Sequence, residues 1–437
     1  MLKKNFMKKF MIYLAVAIDF FKKISPKLFF LFLLALLLRL ALMLTTLHPD
    51  LWAISFAEHL FAYKGVINIY DYLGELPQTA ILVKNYGQNF FTYPPLAYFT
   101  LGIFGWLLKP LFNADFFTNL AVNLPTILEN RYLAGHLFLT KLPYLFFDMG
   151  ILVLLRKLFD EPRKKFLATI LWLFNPLLFY TAYMIGQFDI IPVFLTLLAV
   201  FLVRKKRPFW AAFLLGIGGA YKMFPLLFLP FLAVVQGKNL KRTLFLLLTG
   251  FLPYFFSILP FLNSVNFRQT VLLSNQSQKM LFARIPVSGA EYLSLFVVLY
   301  LFLLGLAVMK KGEIWRWFLA VLLIFFALTH YHPQWFLWIS PFLIIFWAEH
   351  RRLAIFPISL FLGWLLLTLF FEPSLSVALF APVIPSLTLV QPLSVLIGRF
   401  YDVFQLKSLI RSVFAAIVLL VMFQLIRIDD SRKNEKA

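Results

Sequence analysis

Twelve apolar runs, cut by short basic clusters, leave this chain few ways to fold. They cover residues 28–47, 137–158, 166–185, 188–203, 209–222, 224–236, 243–262, 290–309, 317–331, 335–349, 353–371 and 408–427. A membrane-spanning helix needs roughly 20 apolar residues, and fewer where short helices pair inside protein. The runs are continuous and do not alternate in short segments, which argues against a β-barrel. Apolar residues make up 62% of the chain, above the roughly 45–50% of soluble domains. The expectation is an all-α, polytopic helical membrane protein with about 12 transmembrane helices. A basic amphipathic cytoplasmic segment, 1–27, precedes a single transmembrane unit, 28–437. No cleavage motif follows the run 28–47, so that run reads as a retained anchor.

The formal charge of +22 invites a nucleic-acid reading, but placement argues against one. Lys and Arg gather in short clusters between apolar runs: Arg156 to Lys165, Arg204 to Arg207, Lys238 to Arg242, Lys310 with Lys311, and Arg351 with Arg352. That is the charge bias that sets membrane orientation. It predicts a multi-pass plasma-membrane protein with both termini cytoplasmic and no nucleic-acid partner. It also makes 48–136 a long first outer loop. Inside that loop the apolar stretch 94–112 upsets the alternation of basic loops if it crosses alone, so it reads as a re-entrant or interfacial helix. The chain has no cysteine, which removes disulfides, Cys-ligated metals and thiol nucleophiles.

Polar side chains collect on the predicted outer side. His48, Asp50, Glu58 and His59 follow the first run; Tyr93 lies in FTYPPL; Gln187 and Asp189 lie in GQFDIIP. Lys222 sits in GAYKMFP, where two short runs meet, and His330, His332 and Gln334 lie in THYHPQ. A shared outward-facing cavity would explain this convergence, and ionisable residues at membrane depth are functional candidates. Each residue also has a plainer reading. Asp50 could cap a helix. His48 could be a surface histidine. Lys222 could snorkel its amine to water or meet a phosphate. Asp189 and Gln187 could contact substrate hydroxyls or cap their turn. His330 and His332, two apart, share no face of a regular helix but could after Pro333 ends it. Lys141 and Asp148 fall on one helix face and read as structural ion-pair groups. The Trp and Tyr residues at run ends read as interfacial anchors. No HExxH or comparable spacing is present, and a divalent metal stays an open question.

The acid after the first run, the loop with YPPL, and then KLPYLFFDMGILVLL, NPLLFYTAYMIGQFDIIPVFLTLLAVFL, LLGIGGAYKMFPLLFLP and HPQWFLWISPFL stand in an order that resembles the GT-C membrane glycosyltransferases. Within that superfamily they look like the GPI-mannosyltransferase-related bacterial members. The resemblance runs over 28–350. It implies an inverting transfer of a hexose or pentose, mannose-like by preference, from a polyprenyl-phosphate-sugar donor. The acceptor would be a glycan, lipid or protein hydroxyl at the outer membrane face. It also places the catalytic acid just after the first span, which is Asp50 here. Many relatives carry a second adjacent acid, whereas this chain has HPD, leaving Glu58 two turns on as a partner. A carboxylate suits the base that takes the acceptor proton. Lys222, His330 and His332 are candidates for the leaving phosphate. The alternative is a transporter or flippase of lipid-linked sugars, which would place polar groups on both sides of the midplane. Here acids concentrate outside and basic loops inside, which favours the enzyme.

Overall fold

Ser25 and Pro26 start the first helix: the Ser25 hydroxyl accepts from the Leu28 amide at 3.3 Å and Pro26 fills the first turn, where its missing N–H costs nothing. In the computed structural model, residues 25–88, 90–113, 116 and 124–434 are described. Residues 1–24 of the expected amphipathic segment, and 89, 114–115 and 117–123 of the first outer loop, lie outside them.

The chain is all-helical apart from one hairpin among the described residues, with β1 (Arg284–Pro286) antiparallel to β2 (Tyr292–Ser294). The principal helices are α1 (Pro26–Thr45), α2 (Asp50–Lys64), α3 (Pro95–Leu107), α4 (Leu133–Lys141), α5 (Tyr144–Lys157), α6 (Pro162–Leu173), α7 (Ile190–Arg204) and α8 (Pro208–Gly219). They continue as α9 (Leu229–Gln236), α10 (Leu240–Ile258), α11 (Leu295–Lys310), α12 (Ile314–Leu328), α13 (Ser340–Glu349), α14 (Ile355–Thr368) and α15 (Val403–Asn434).

Among the described residues, six helical segments are long and apolar enough to cross a membrane: Pro26–Thr45, Leu133–Lys157, Pro162–Ile185, Leu240–Phe261, Arg351–Thr368 and Val403–Leu425. Six shorter apolar helices accompany them. Six of the twelve expected runs reach spanning length by themselves and five match the shorter helices; the sixth shorter helix is Pro95–Leu107, and the run 335–349 forms the helical pieces Pro333–Ile339 and Ser340–Glu349. α12 and α13 are buried nearly all round, and α7 and α8 over much of their surface. α8 packs tightly on α7 and α10. A Cβ on Gly216 of α8 would lie 1.9 Å from the Gly250 carbonyl oxygen of α10, so these backbones meet closely through glycine. α3 has 13 residues, short of the roughly 20 a span requires. It lays Ala97, Tyr98, Leu101 and Gly105 inward, packs on α2, and leaves Ile103, Trp106 and Leu107 exposed.

A buried polar knot ties α1 to α5 and α6. Asp148 accepts from Arg39 Nε at 2.6 Å, from Trp172 Nε1 at 2.7 Å and from the Tyr183 hydroxyl at 2.6 Å. Arg39 Nη1 also donates to the Ala35 and Leu173 carbonyls, each at 2.9 Å. A charge pair at this depth needs such additional hydrogen bonds, although Arg39 Nη2 has no partner among the described residues. Lys141 does not join it. Its amine reaches the Thr46 carbonyl at 2.6 Å and closes the C-terminal end of α1. The shared face of Lys141 and Asp148 thus predicted a common role that the fold does not use: one makes an ion pair and the other caps a helix.

Candidate active site

Asp50 opens α2. Its backbone amide donates to His48 Nδ1 at 3.1 Å, and the next two amides reach the carbonyls of His48 and Pro49. The Asp50 carboxylate makes no capping bond. This corrects the helix-cap reading, because residues 48 and 49 serve that turn and release the acid for other contacts. Oδ2 accepts from Gln187 Nε2 at 2.7 Å and from Gln334 Nε2 at 3.2 Å. Oδ1 lies 3.7 Å from His48 Nδ1, a nitrogen already accepting the Asp50 amide proton. Oδ1 therefore carries no hydrogen bond among the described residues, and the Asp50 side chain is 34% exposed.

Local backbone features put the two glutamines there. Asn175 ends α6, its side chain accepting the Leu177 amide, and a π-helical turn, Phe179–Ile185, follows. Such turns often mark functional sites. It stops at Gly186, whose φ of 80° lies in the left-handed region that glycine enters at no steric cost. A Cβ at Gly186 would sit 2.7 Å from the Leu51 side chain, so this turn lies directly against the start of α2. Gln334 belongs to the one-turn-per-three-residues segment Pro333–Ile339, pinned where its carbonyl accepts from the Thr181 hydroxyl at 3.0 Å. Both amides are buried, and Oε1 of each accepts no hydrogen bond among the described residues. Gln187 Nε2 also donates to the Tyr93 hydroxyl at 3.0 Å. Burial, then the Asp50 charge, hold that phenol well above its ordinary pKa, so it stays protonated.

Asp189 and Lys222 form a second, closed unit. The Lys222 amine meets Asp189 Oδ2 at 2.5 Å, and Trp338 Nε1 donates to Oδ1 at 2.5 Å. Both residues are buried, so Lys222 does not snorkel to water, and its charge is committed to Asp189. Asp189 points at this pair and away from Asp50, unlike its neighbour Gln187. The units touch through Tyr93, whose ring carries Lys222 on its face at 5.0 Å.

The other sequence candidates part company. His48 is buried, and its imidazole is depressed chiefly by burial, against the opposing pull of Asp50 and Glu372. His332 is lowered to about 4 by burial and then by Lys279, whose amine lies 3.2 Å from His332 Nε2. His330 is exposed and stands against the Phe371 ring. Glu58 is not a partner of Asp50. Two turns along α2, about 12 Å of rise, it is buried against α3, where a Cβ on Gly105 would fall 2.1 Å from Oε1. Burial raises its carboxyl well above the usual range. Among the described residues no three His, Asp or Glu side chains converge as a metal site.

Three residues of this region were given no site role in the sequence, although Trp335 and Trp338 lie in HPQWFLWISPFL. Trp335 stacks on Trp338 at 5.2 Å, and Lys279 lies 5.5 Å over Trp335. Both tryptophans read as interfacial anchors in sequence, and Lys279 sits in the featureless stretch NQSQK. Only the nearness of Trp335 and Trp338 to Gln334 pointed to them.

The assembled groups are a clamped, partly exposed carboxylate with two unused amide oxygens beside it. Such a site can take a hydroxyl proton and orient a polyhydroxy ligand. The family model for glycosyltransferase family 87 matches residues 91–318, more than half of the chain. No curated protein and no solved structure matches it.

Proposed function

The chain belongs to glycosyltransferase family 87, a membrane family of the GT-C type, and from that premise we propose that it moves a sugar from a polyprenyl-phosphate donor to an acceptor hydroxyl, with inversion and with Asp50 as general base. The observation that carries the reading is the asymmetry of the Asp50 carboxylate. Two buried amides hold Oδ2, while Oδ1 bears no hydrogen bond among the described residues and the side chain reaches the surface. A base needs this geometry, with one oxygen fixed and the other facing the proton it removes.

In the proposed step the acceptor oxygen attacks the anomeric carbon and its proton passes to Asp50 Oδ1. The bond from that carbon to the phosphate oxygen breaks, and its electron pair leaves with the polyprenyl phosphate on the opposite face. The Oε1 atoms of Gln187 and Gln334 accept sugar or acceptor hydroxyls. Tyr93, held protonated, offers a donor to the same ligand. The Asp189–Lys222 pair supports Tyr93 from behind and contacts no substrate. A lipid-borne donor suits a site built from the ends of membrane helices. The preferred sugar is a hexose or pentose of the mannose type, the acceptor a glycan, lipid or protein hydroxyl at the outer membrane face.

The test is Asp50→Asn in purified full-length protein, supplied with a panel of polyprenyl-phosphate sugars and, separately, nucleotide sugars. Transfer from a polyprenyl-phosphate sugar should fall by at least about 100-fold, the lower range of general-base effects, with an unchanged melting curve. Near-normal transfer in Asp50→Asn would remove Asp50 from the mechanism. Transfer from nucleotide sugars alone would replace the donor class.

A further inference from the structure

With Lys222 neutralised by Asp189, the charge that a leaving phosphate requires must come from elsewhere. A second group of cations surrounds the turn 329–335. Lys279 lies 3.2 Å from His332 Nε2 and 5.5 Å over Trp335, whose ring is also 5.4 Å from the His332 ring. From α15, Arg411 donates to the Thr329 carbonyl at 3.0 Å and lies 5.6 Å over Tyr331. One turn earlier, Lys407 lies 5.7 Å over Phe371, the ring that His330 also contacts. Among the described residues none of Lys279, Lys407 and Arg411 makes an ion pair, unlike Lys222, Arg39 and Lys164. Three half-buried cations with no carboxylate to balance them are an unfavourable arrangement until an anion arrives.

We propose that Lys279, His332, Lys407 and Arg411 form the seat of a lipid-borne phosphate, the group that departs from the donor in the transfer proposed above. The inference rests on that reading for its role in the reaction, but not for the binding itself. His330, against Phe371, is lowered by partial burial and then by Lys279, Arg411 and Lys407 in turn, in keeping with the contacts that gather these cations about the turn 329–335. His332, 3.2 Å from Lys279, is also acted on by Asp50, so this seat and the proposed base both lie near it. When the sugar–phosphate bond breaks, charge grows on the phosphate oxygens, and preorganised cations stabilise it there. The lipid commitment comes from α15. Lys407 and Arg411 stand in the first turns of the segment Val403–Leu425, which is long and apolar enough to cross a membrane, so the seat lies at the depth of lipid headgroups. His332, Lys407 and Arg411 all follow residue 318, where the family match ends. The last helix thereby becomes part of the site.

The experiment is binding of decaprenyl monophosphate, uncharged decaprenol and inorganic phosphate to detergent-solubilised full-length protein, read by native mass spectrometry. Decaprenyl phosphate should bind at least about tenfold more tightly than decaprenol, the worth of one charge-assisted hydrogen bond. Lys279→Ala and Lys407→Ala should each weaken it by about that factor, while Lys279→Arg, and Lys164→Ala at the opposite end of the bundle, should bind as wild type. Arg411→Ala is informative only with an unchanged melting curve, since Arg411 also holds Thr329; Lys407, which makes no hydrogen bond among the described residues, supplies the second reading. Equal binding of the phosphate and the alcohol, or wild-type binding in both lysine variants, overturns the seat. Competition by inorganic phosphate at the same concentration as the lipid phosphate would assign the seat to a free anion and overturn the lipid commitment. If wild-type protein binds decaprenyl phosphate but transfers from no polyprenyl-phosphate sugar, the seat stands and the transfer reading falls. If transfer proceeds while the lysine variants bind normally, the reverse holds.

Discussion

Asp189 and Asp50 are both acids beside glutamine contacts at one end of a helix bundle, yet their surroundings give them opposite tasks. Asp189 is fully buried, with Lys222 and Trp338 occupying its two oxygens. Asp50 is partly exposed, with one oxygen uncommitted. The first arrangement holds structure and the second can do chemistry. Removing one member of a buried pair strands the other, at a cost of about 3–5 kcal/mol. Lys222→Ala should therefore lower the melting temperature markedly, and Lys222→Met combined with Asp189→Asn should recover much of the loss. Thermal melts of the three proteins in detergent decide this. If Lys222→Ala melts with wild type, the pair is not structural and Lys222 returns as a ligand contact. In sequence the two acids were equally conspicuous, since each follows an apolar run. What separates them is which cation lies in reach, and Lys222 stands 33 residues from Asp189 with its direction fixed only by the break after Gly219.

At the scale of elements, the apolar runs were legible because a lipid-facing or buried helix must be apolar along its length, and the runs match the helices closely. One interruption was legible too, at GAYKMFP, where α8 ends at Gly219; those at Pro143 and Asn175, inside runs read as continuous, were not. What the runs could not disclose is which helices touch. Arg39 and Asp148 are 109 residues apart, so the ion-pair role expected of Asp148 came without its partner. The contact of α8 with α10 was equally hidden, because a lone glycine does not name its partner. That contact can be tested. Gly216→Ala would drive a methyl group into the Gly250 carbonyl, forcing the helices apart at about 1–3 kcal/mol. Gly305→Ala, where an added Cβ meets nothing within 4 Å, is the control. Gly216→Ala should melt several degrees below Gly305→Ala, and equal melting would mean that α8 and α10 do not pack this closely.

For the whole molecule, the ends of the spans carry opposite chemistry. The segment Leu133–Lys157 runs from the region of the candidate site to Arg156, which donates to Thr169 at 2.9 Å. Near that second end Lys164 pairs with Glu349 at 3.3 Å, and Arg204 pairs with Glu313 at 3.4 Å while also reaching the Leu158 carbonyl. The basic loops thus gather at one end of the bundle, and Asp50 with its partners at the other. Such a bias retains the basic end in the cytoplasm during insertion, so the candidate site should open to the outer face, where a lipid-carried sugar rather than a cytosolic nucleotide sugar is at hand. The chain contains no cysteine, so single cysteines report position without background. Ser288 is exposed in the hairpin that precedes α11, and Lys238 is exposed in the loop before α10. In spheroplasts a membrane-impermeant maleimide should label Ser288→Cys at once and Lys238→Cys only after permeabilisation. The opposite pattern would turn the protein over, put Asp50 in the cytoplasm, and leave a polyprenyl-phosphate donor without its reason.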